Sequence, residues 1–136
     1  MGRMRSEIKF RAWDKVNKEM YRVGYIDFPS KKVQLAIIQD GICYKAFEAD
    51  LKDVELLQYT GLKDSNGNEI YDGDIVKISG HPFQGSIDID GNYVVGYNEL
   101  MELSCGGWYL HRMRHWAEVV GNKFENPEIL QGGKGE

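Results

Sequence analysis

Cysteine is scarce in this sequence, and catalytic motifs and long apolar runs are missing from it. Cys43 and Cys105 are the two cysteines of the 136 residues. They form no CxxC pair and no regularly spaced set, so the sequence predicts neither a disulfide framework nor a zinc ribbon. We expect both thiols to be reduced.

No stretch approaches the roughly 18 consecutive apolar residues that a membrane-spanning helix needs. The N-terminus carries Arg3 and Arg5, but no apolar run follows them, so it does not match a secretory leader. We therefore expect a cytoplasmic protein that does not contact a membrane.

Signatures of catalysis are also missing. The sequence contains no GxGxxG, no GxxxxGK[ST] and no nucleophile elbow, so it predicts no nucleotide cofactor and no enzyme. His111 and His115 are four apart, but no carboxylate motif or cysteine pair completes a metal site. A small enzyme centred on His81, His111 and His115 is the weakest of the three functional hypotheses that the sequence leaves open.

The acidic segment from Asp64 to Asp74 resembles a calcium loop only superficially. With Asp64 at position one, Glu69 takes the place of the required glycine at position six, and Ile75 takes the place of the glutamate at position twelve. Turn formation explains these residues better. We therefore predict no metal ligand anywhere in the chain.

The residues that are present favour strands and turns. The chain has 16 glycines and 8 tyrosines, with 42% hydrophobic and 28% charged residues, which is ordinary for one globular domain. Asn66–Gly67 predicts a tight hairpin turn of the primed type. Asp72 and Gly73 predict a second interruption of the strands. Alternation over residues 74–78 predicts a half-buried strand after it.

The first half of the chain reads as a β meander. Residues 7–13 alternate, with Ile8, Phe10 and Ala12 on the face toward the core. Gly24 suggests a bulge in the next strand. Residues 54–59 suit either a strand or a turn of helix. The other predicted strands are residues 20–28, 32–39 and 42–47, the last two joined by a turn at Asp40 and Gly41.

The second half predicts further short strands. Gly91 and Asn92 indicate a hairpin turn between strands at 86–90 and 93–97. We predict a long loop over 99–107, followed by strands at 107–111 and 116–121. A helical turn over 125–130 comes last, with Asn126 as its cap and Pro127 at its first position. Residues 131–136 are expected to be a disordered tail. The predicted fold is a mainly β small barrel or roll, in one domain over residues 1–136.

Three motifs together resemble the YopX family of phage and prophage proteins. The central one runs from Gln58 through Asp64 and Asn66–Gly67 to Val76; residues 8–14 and 118–128 resemble the family's opening and close. Asp72 departs from the glutamate expected there. The resemblance implies an N-terminal meander over about 7–59, a half with SH3-like barrel character over about 60–130, and a bacterial host cytoplasm. The family has no known biochemical function, so the resemblance supplies no catalytic residue.

Charge is distributed unevenly along the chain. Residues 1–22 hold seven Lys or Arg against three acids, whereas residues 48–76 hold eight acids against two lysines, and the net charge is −4. Complementary patches favour a homo-oligomer. Basic residues interleaved with aromatic ones can also bind a phosphate backbone. The candidate residues for that alternative are Lys9, Arg11, Trp13, Arg22, Arg112 and Arg114.

These observations lead to one functional hypothesis and two alternatives. We expect a non-catalytic phage accessory protein that self-associates and binds a host or phage protein. The first alternative is a nucleic-acid-binding β-barrel, and the second is the histidine-centred enzyme named above.

Overall fold

The computed structural model describes residues 7–82 and 89–131, and strands dominate this part of the chain. The strands are antiparallel and form two sheets, which confirms the predicted mainly β class. They are β1 (Phe10–Asp14), β2 (Glu19–Asp27), β3 (Lys32–Gln39), β4 (Ile42–Asp50), β5 (Val54–Lys63), β6 (Glu69–Tyr71), β7 (Asp74–Ile78), β8 (Gly91–Tyr97), β9 (Leu103–Cys105), β10 (Trp108–Tyr109) and β11 (Ala117–Asn122). The helices are short, α1 (Leu110–Met113) and α2 (Glu128–Gln131).

The chain divides into two compact units. The N-terminal unit comprises Ile8–Gln58, and the C-terminal unit contains the described residues from Tyr59 onward. Strand β5 crosses the boundary, because residues 54–58 pair with β1 whereas Tyr59 and Lys63 pair with β6.

The N-terminal unit is an antiparallel sheet in the order β4-β3-β2-β1-β5. Alternate residues of these strands point to one face and form its core, as a period of two requires. Strand β3 and the turn after it match the prediction, since Asp40 and Gly41 have left-handed φ angles of 53° and 78°. The buried core consists of Ala12, Tyr21, Val33, Leu35 and Val54.

One detailed prediction for the N-terminal meander is confirmed, and another is wrong. The predicted bulge near Gly24 is confirmed, because the pairing of β2 with β3 shifts register between Val23 and Ile26. The prediction that Ile8 faces the core is wrong: the strand begins at Phe10 and Ile8 is 79% exposed. Alternation alone cannot show where a strand ends, because it continues across the last paired residue.

The segment after β4 settles a choice that the sequence left open. Leu51–Asp53 forms one turn of 3-10 helix, and residues 54–59 belong to strand β5. Pairing with β1 explains this outcome, because a ladder partner decides between strand and helix where the local pattern fits both.

The C-terminal unit contains an antiparallel sheet in the order β10-β9-β8-β7-β11. Strand β7 was predicted to be half-buried, but Lys77 is its single exposed residue. It is an inner strand of the sheet, between β8 and the edge strand β11, and its residues are buried on both faces. The buried core consists of Ile70, Val76, Ile78, Ile89, Tyr93, Val95, Cys105, Leu110, Met113 and Ala117.

Two predictions for the second half are wrong, and a third is confirmed only in part. Gly91 and Asn92 do not form a turn; they begin β8 and pair with Ile78 and Lys77. The predicted loop over 99–107 contains β9. The predicted strand over 107–111 is confirmed at Trp108–Tyr109, which form β10, and helix α1 begins at Leu110. At residues 91–92, pairing with β7 overrides the local turn signal. Most of the strand predicted over 86–90 lies outside the described residues.

The chain end forms the expected helical turn, α2. The helix begins at Glu128, so the predicted first position, Pro127, directly precedes it. The Oδ1 of Asn126 accepts a hydrogen bond from the backbone N–H of Asn122 at 3.2 Å, and its backbone carbonyl accepts one from Ile129 at 3.1 Å. The tail predicted over 131–136 falls outside the described residues, except for Gln131 at the end of the helix. Within the described part of the chain, no helix has the length and apolar character that crossing a membrane requires.

Candidate functional site

Three of the six candidate nucleic-acid residues lie together on one face of the N-terminal sheet. Ala12 and Asp14 of β1 are buried on the core side, so Arg11 and Trp13 point to the opposite face, where both are half-buried. Arg11 is directly opposite Arg22 of β2. Trp13 is opposite Met20. We call these four residues, Arg11, Trp13, Met20 and Arg22, the basic face.

A shallow concavity of about 240 Å³ adjoins the two arginines. Arg22 is exposed, and no carboxylate of the described residues forms an ion pair with it. Two arginines directly opposite each other on neighbouring strands make this part of the N-terminal sheet locally electropositive. The lining residues are Arg11, Met20, Tyr21, Arg22, Ala36, Ile37, Ile38 and Gln39.

The other three candidates differ in their placement. Lys9 directly precedes β1 and is half-buried. Arg112, on α1, and Arg114 belong to the C-terminal unit. The guanidinium of Arg114 donates a hydrogen bond to the carbonyl of Lys63 at 2.9 Å, so it holds the end of β5. Sequence reasoning could not find this structural role, because the two residues are far apart along the chain.

An apolar edge is the feature that sequence reasoning missed. Strand β4 is the outermost strand of the N-terminal sheet, and its first five residues, 42–46, are all exposed. Ile42 is 55% and Tyr44 63% exposed. We call residues 42–46 the apolar edge. No local signal distinguishes it from a core strand, since β3 and β4 have similar apolar content.

The three histidines contact aromatic rings. His81 and His115 both lie against Trp116, with ring centroids 4.4 and 6.1 Å apart, and His111 stacks on Tyr109 at 5.7 Å. Within residues 7–82 and 89–131, no group of three or more His, Cys, Asp or Glu side chains could hold a metal ion.

Cys105 is not an activated nucleophile. Its side chain is fully buried in the core of the C-terminal unit, and burial raises the pKa of the thiol to about 12. Cys43 is exposed on the apolar edge. Because only the thiolate is reactive, Cys105 stays inert in the folded protein.

The central motif is organised by the buried carboxylate of Asp64. Its Oδ1 accepts hydrogen bonds from the backbone N–H groups of Asn66 and Asn68 at 2.9 and 2.8 Å, and its Oδ2 accepts one from Val119 at 2.8 Å. Burial raises the pKa of this carboxyl, but the backbone hydrogen bonds outweigh burial, so the pKa lies below its usual value. The motif therefore serves structure.

This geometry also corrects the predicted turn type. The chain reverses between Lys63 and Glu69, as expected, but through a five-residue loop rather than a two-residue primed turn. Gly67 adopts a left-handed φ of 85°. The carboxylate of Asp64 closes the loop, because it accepts hydrogen bonds from backbone N–H groups that would pair with backbone carbonyls in a tight hairpin.

The closing motif has a similar structural role around Asn122. Its Oδ1 accepts hydrogen bonds from the N–H groups of Phe124 and Glu125 at 3.0 and 2.9 Å, and its amide donates to Glu125 at 2.8 Å. A Cβ on Gly121 would lie 2.5 Å from Oδ1 of Asn126, so any larger residue there would displace the Asn126 side chain. The central and closing motifs thus form turns.

Comparison with known proteins confirms the family resemblance of the sequence. The model of the family described as YopX protein matches residues 9–131. The chain belongs to the YopX family. The YopX fold also recurs in a solved structure, protein EF1440 from Enterococcus faecalis, at 24% identity and a TM-score of 0.64 over 93% of this chain and 99% of that one. No curated protein matches the chain.

Proposed function

We propose that this YopX protein is a non-catalytic module that self-associates and acts by binding another protein. The observation that supports this proposal is the apolar edge. An outermost strand presents unpaired backbone N–H and C=O groups, which can pair with a strand of another chain. Here those groups are flanked by the exposed side chains of Ile42 and Tyr44.

A register shift in the middle of the apolar edge limits how a strand of another chain can pair with β4. The pairing of β3 with β4 shifts register between Ile37 and Ile38, which leaves Tyr44 as an extra residue in β4, and Lys45 follows it. Bulges and lysines on edge strands oppose open-ended strand addition. A defined partner or a closed assembly therefore suits this edge better than a filament.

Measuring the mass in solution tests self-association. The chain of 15.6 kDa should elute as an oligomer in chromatography coupled to light scattering, and the double variant Ile42→Lys, Tyr44→Lys should be monomeric. Phe28→Ser is the control, because Phe28 is 67% exposed but lies in the turn between β2 and β3. A wild-type monomer across all concentrations would refute the proposal.

We further propose that the C-terminal unit has SH3-like barrel character and that the protein works in the cytoplasm of a phage-carrying bacterium. The family resemblance supports both statements. The five-stranded sheet, with a 3-10 turn at Arg114–Trp116 directly before β11, suits such a barrel. An experimental structure in which β10 and β11 remain apart, with no strand closing the sheet, would refute the barrel.

Nucleic-acid binding is the second candidate function, and the basic face favours it. Arg11, Trp13 and Arg22 are drawn from two strands onto one surface, as this function requires. Phosphate contacts release counterions, so binding should weaken steeply between about 50 and 200 mM salt. Fluorescence anisotropy with short DNA and RNA tests this, and an absence of binding at either salt concentration would exclude it.

A further inference from the structure

The loop between β5 and β6 contains the one Asn-Gly pair of the sequence, Asn66 and Gly67. Both residues are exposed. The carboxamide of Asn66 makes no hydrogen bond within the part of the chain that the structure describes. A Cβ built on Gly67 would meet no atom within 4 Å, so the space around this peptide bond is open. The side chain of Asn66 is therefore free to react with the backbone that follows it.

We propose that Asn66 is a modification site, at which the chain converts itself to isoaspartate. The backbone nitrogen of Gly67 loses its proton and attacks Cγ of Asn66, the carboxamide C–N bond breaks, and ammonia leaves. The product is a five-membered succinimide ring, which water opens at either carbonyl to isoaspartate or aspartate. One water is consumed and one ammonia is released, so the step needs no oxidant, reductant or enzyme. This inference is independent of the proposed function.

The residue after the asparagine and the freedom of the carboxamide select this position. A side chain on the following residue hinders the approach of its nitrogen to Cγ, whereas Gly67 has none. Asn98 gives the contrast within the same unit, because a glutamate follows it and its carboxamide is held at both ends. Its Nδ2 donates to Oε1 of Glu102 at 2.8 Å, and its Oδ1 accepts from the N–H of Leu100 at 2.9 Å. We therefore expect Asn66 to convert and Asn98 to persist.

The hydrogen bonds of Asp64 slow the reaction in the folded loop. The N–H of Gly67, which must lose its proton, donates to the backbone carbonyl of Asp64 at 3.1 Å. The N–H groups of Asn66 and Asn68 donate to Oδ1 of Asp64 at 2.9 and 2.8 Å, so the backbone is held on both sides of the reacting bond. Losing one such hydrogen bond changes a rate by up to about tenfold. The loop therefore retards the conversion without preventing it.

Isoaspartate would in turn weaken the loop that restrains its formation. It adds a methylene to the main chain before Gly67, which shifts the N–H groups of Gly67 and Asn68 relative to Asp64. It also places a second carboxylate beside that of Asp64, and like charges at short range are unfavourable. Because Oδ2 of Asp64 accepts a hydrogen bond from Val119 at 2.8 Å, the change extends to β11. We expect the isoaspartate form to unfold at a lower urea concentration than the unmodified protein.

Incubation at pH 8, followed by peptide mapping with mass spectrometry, tests the proposal; chromatography separates isoaspartate from aspartate. Asn66 should convert faster than every other asparagine, and more slowly at pH 6, because the attacking nitrogen must lose its proton. The rate should rise about tenfold in Asp64→Ala and in wild type unfolded by urea, a measurement that needs no variant to fold. Asn66→Gln is the matched control: glutamine keeps the carboxamide, but its extra methylene requires a six-membered ring, so this variant should stay unmodified.

Each outcome bears on one part of the proposal. Conversion at Asn66 that is faster after unfolding and in Asp64→Ala supports it. A native protein that stays unmodified while the urea-unfolded chain converts overturns the site in the folded protein. Equal rates in the native protein, Asp64→Ala and the unfolded chain overturn the restraint by Asp64. Conversion at Asn98 as fast as at Asn66 overturns the selection of this loop.

Discussion

Replacing Asp64 by asparagine tests whether the central motif is held by one buried carboxylate. The carboxylate is 4% exposed and accepts three backbone hydrogen bonds from two parts of the C-terminal unit. Hydrogen bonds to a charged group contribute about 1.5–3 kcal/mol each. Asparagine keeps the shape but has one acceptor oxygen, so its NH₂ group must face an N–H donor. We expect Asp64→Asn to lower the free energy of unfolding by about 2–4 kcal/mol.

The pH dependence follows from the direction of the pKa shift. The folded-state pKa of Asp64 lies below its usual value, so its contribution to stability is fully present above the unfolded-state pKa of about 3.9. This contribution is lost as the pH falls through the folded-state pKa. The difference in stability between wild type and Asp64→Asn should therefore be largest near pH 7 and should narrow below about pH 4.

Urea unfolding followed by tryptophan fluorescence measures both effects, because Trp108 and Trp116 pack against the core of the C-terminal unit. Glu118→Gln is the matched control: Glu118 is exposed, precedes Val119 on β11, and should change stability by less than about 0.5 kcal/mol. An Asp64→Asn cost below about 1 kcal/mol, or a cost that is the same at pH 3 and pH 7, would refute the reasoning.

Two further predictions concern packing and thiol chemistry. Gly106→Ala should destabilise the protein by at least about 1 kcal/mol in a thermal melt, because the φ of Gly106 is +61° and a Cβ would lie 2.4 Å from the ring of Tyr93. Gly107→Ala is the control and should be near neutral in the same melt, because the space around Gly107 is open. In a thiol titration at pH 8, Cys43 should react in the native protein, whereas Cys105 should react only after unfolding, since burial raises its pKa to about 12. Two reactive thiols in the native state would contradict this.

Much of the local structure could be predicted because its causes are local. The Asp40–Gly41 turn needs two residues that tolerate positive φ, and the bulge in β2 lies at Gly24, so both are visible in the sequence. The turn predicted at residues 91–92 failed for a non-local reason. Gly91 and Asn92 have the composition of a turn, yet pairing with β7 places them in a strand. A ladder partner far along the chain is invisible to local propensity.

The candidate site divides in the same way. Composition indicated that Arg11, Trp13 and Arg22 suit a polyanion, but only the register of β1 with β2 shows that the two arginines are side by side. The same holds for Asp64, whose type and neighbours predicted a turn, although its bond to Val119 depends on the contact between the loop after β5 and strand β11.

The sequence by itself determined the strand-rich composition, the positions of the glycine turns and the YopX motifs, because each depends on the conformational preferences of adjacent residues. Only the tertiary structure decided that β4 is an exposed edge, that β7 is buried, and that Arg11 faces Arg22. The reason is physical: a strand's side chains alternate in the same way whether it is central or outermost, so burial and neighbours are set by pairing order.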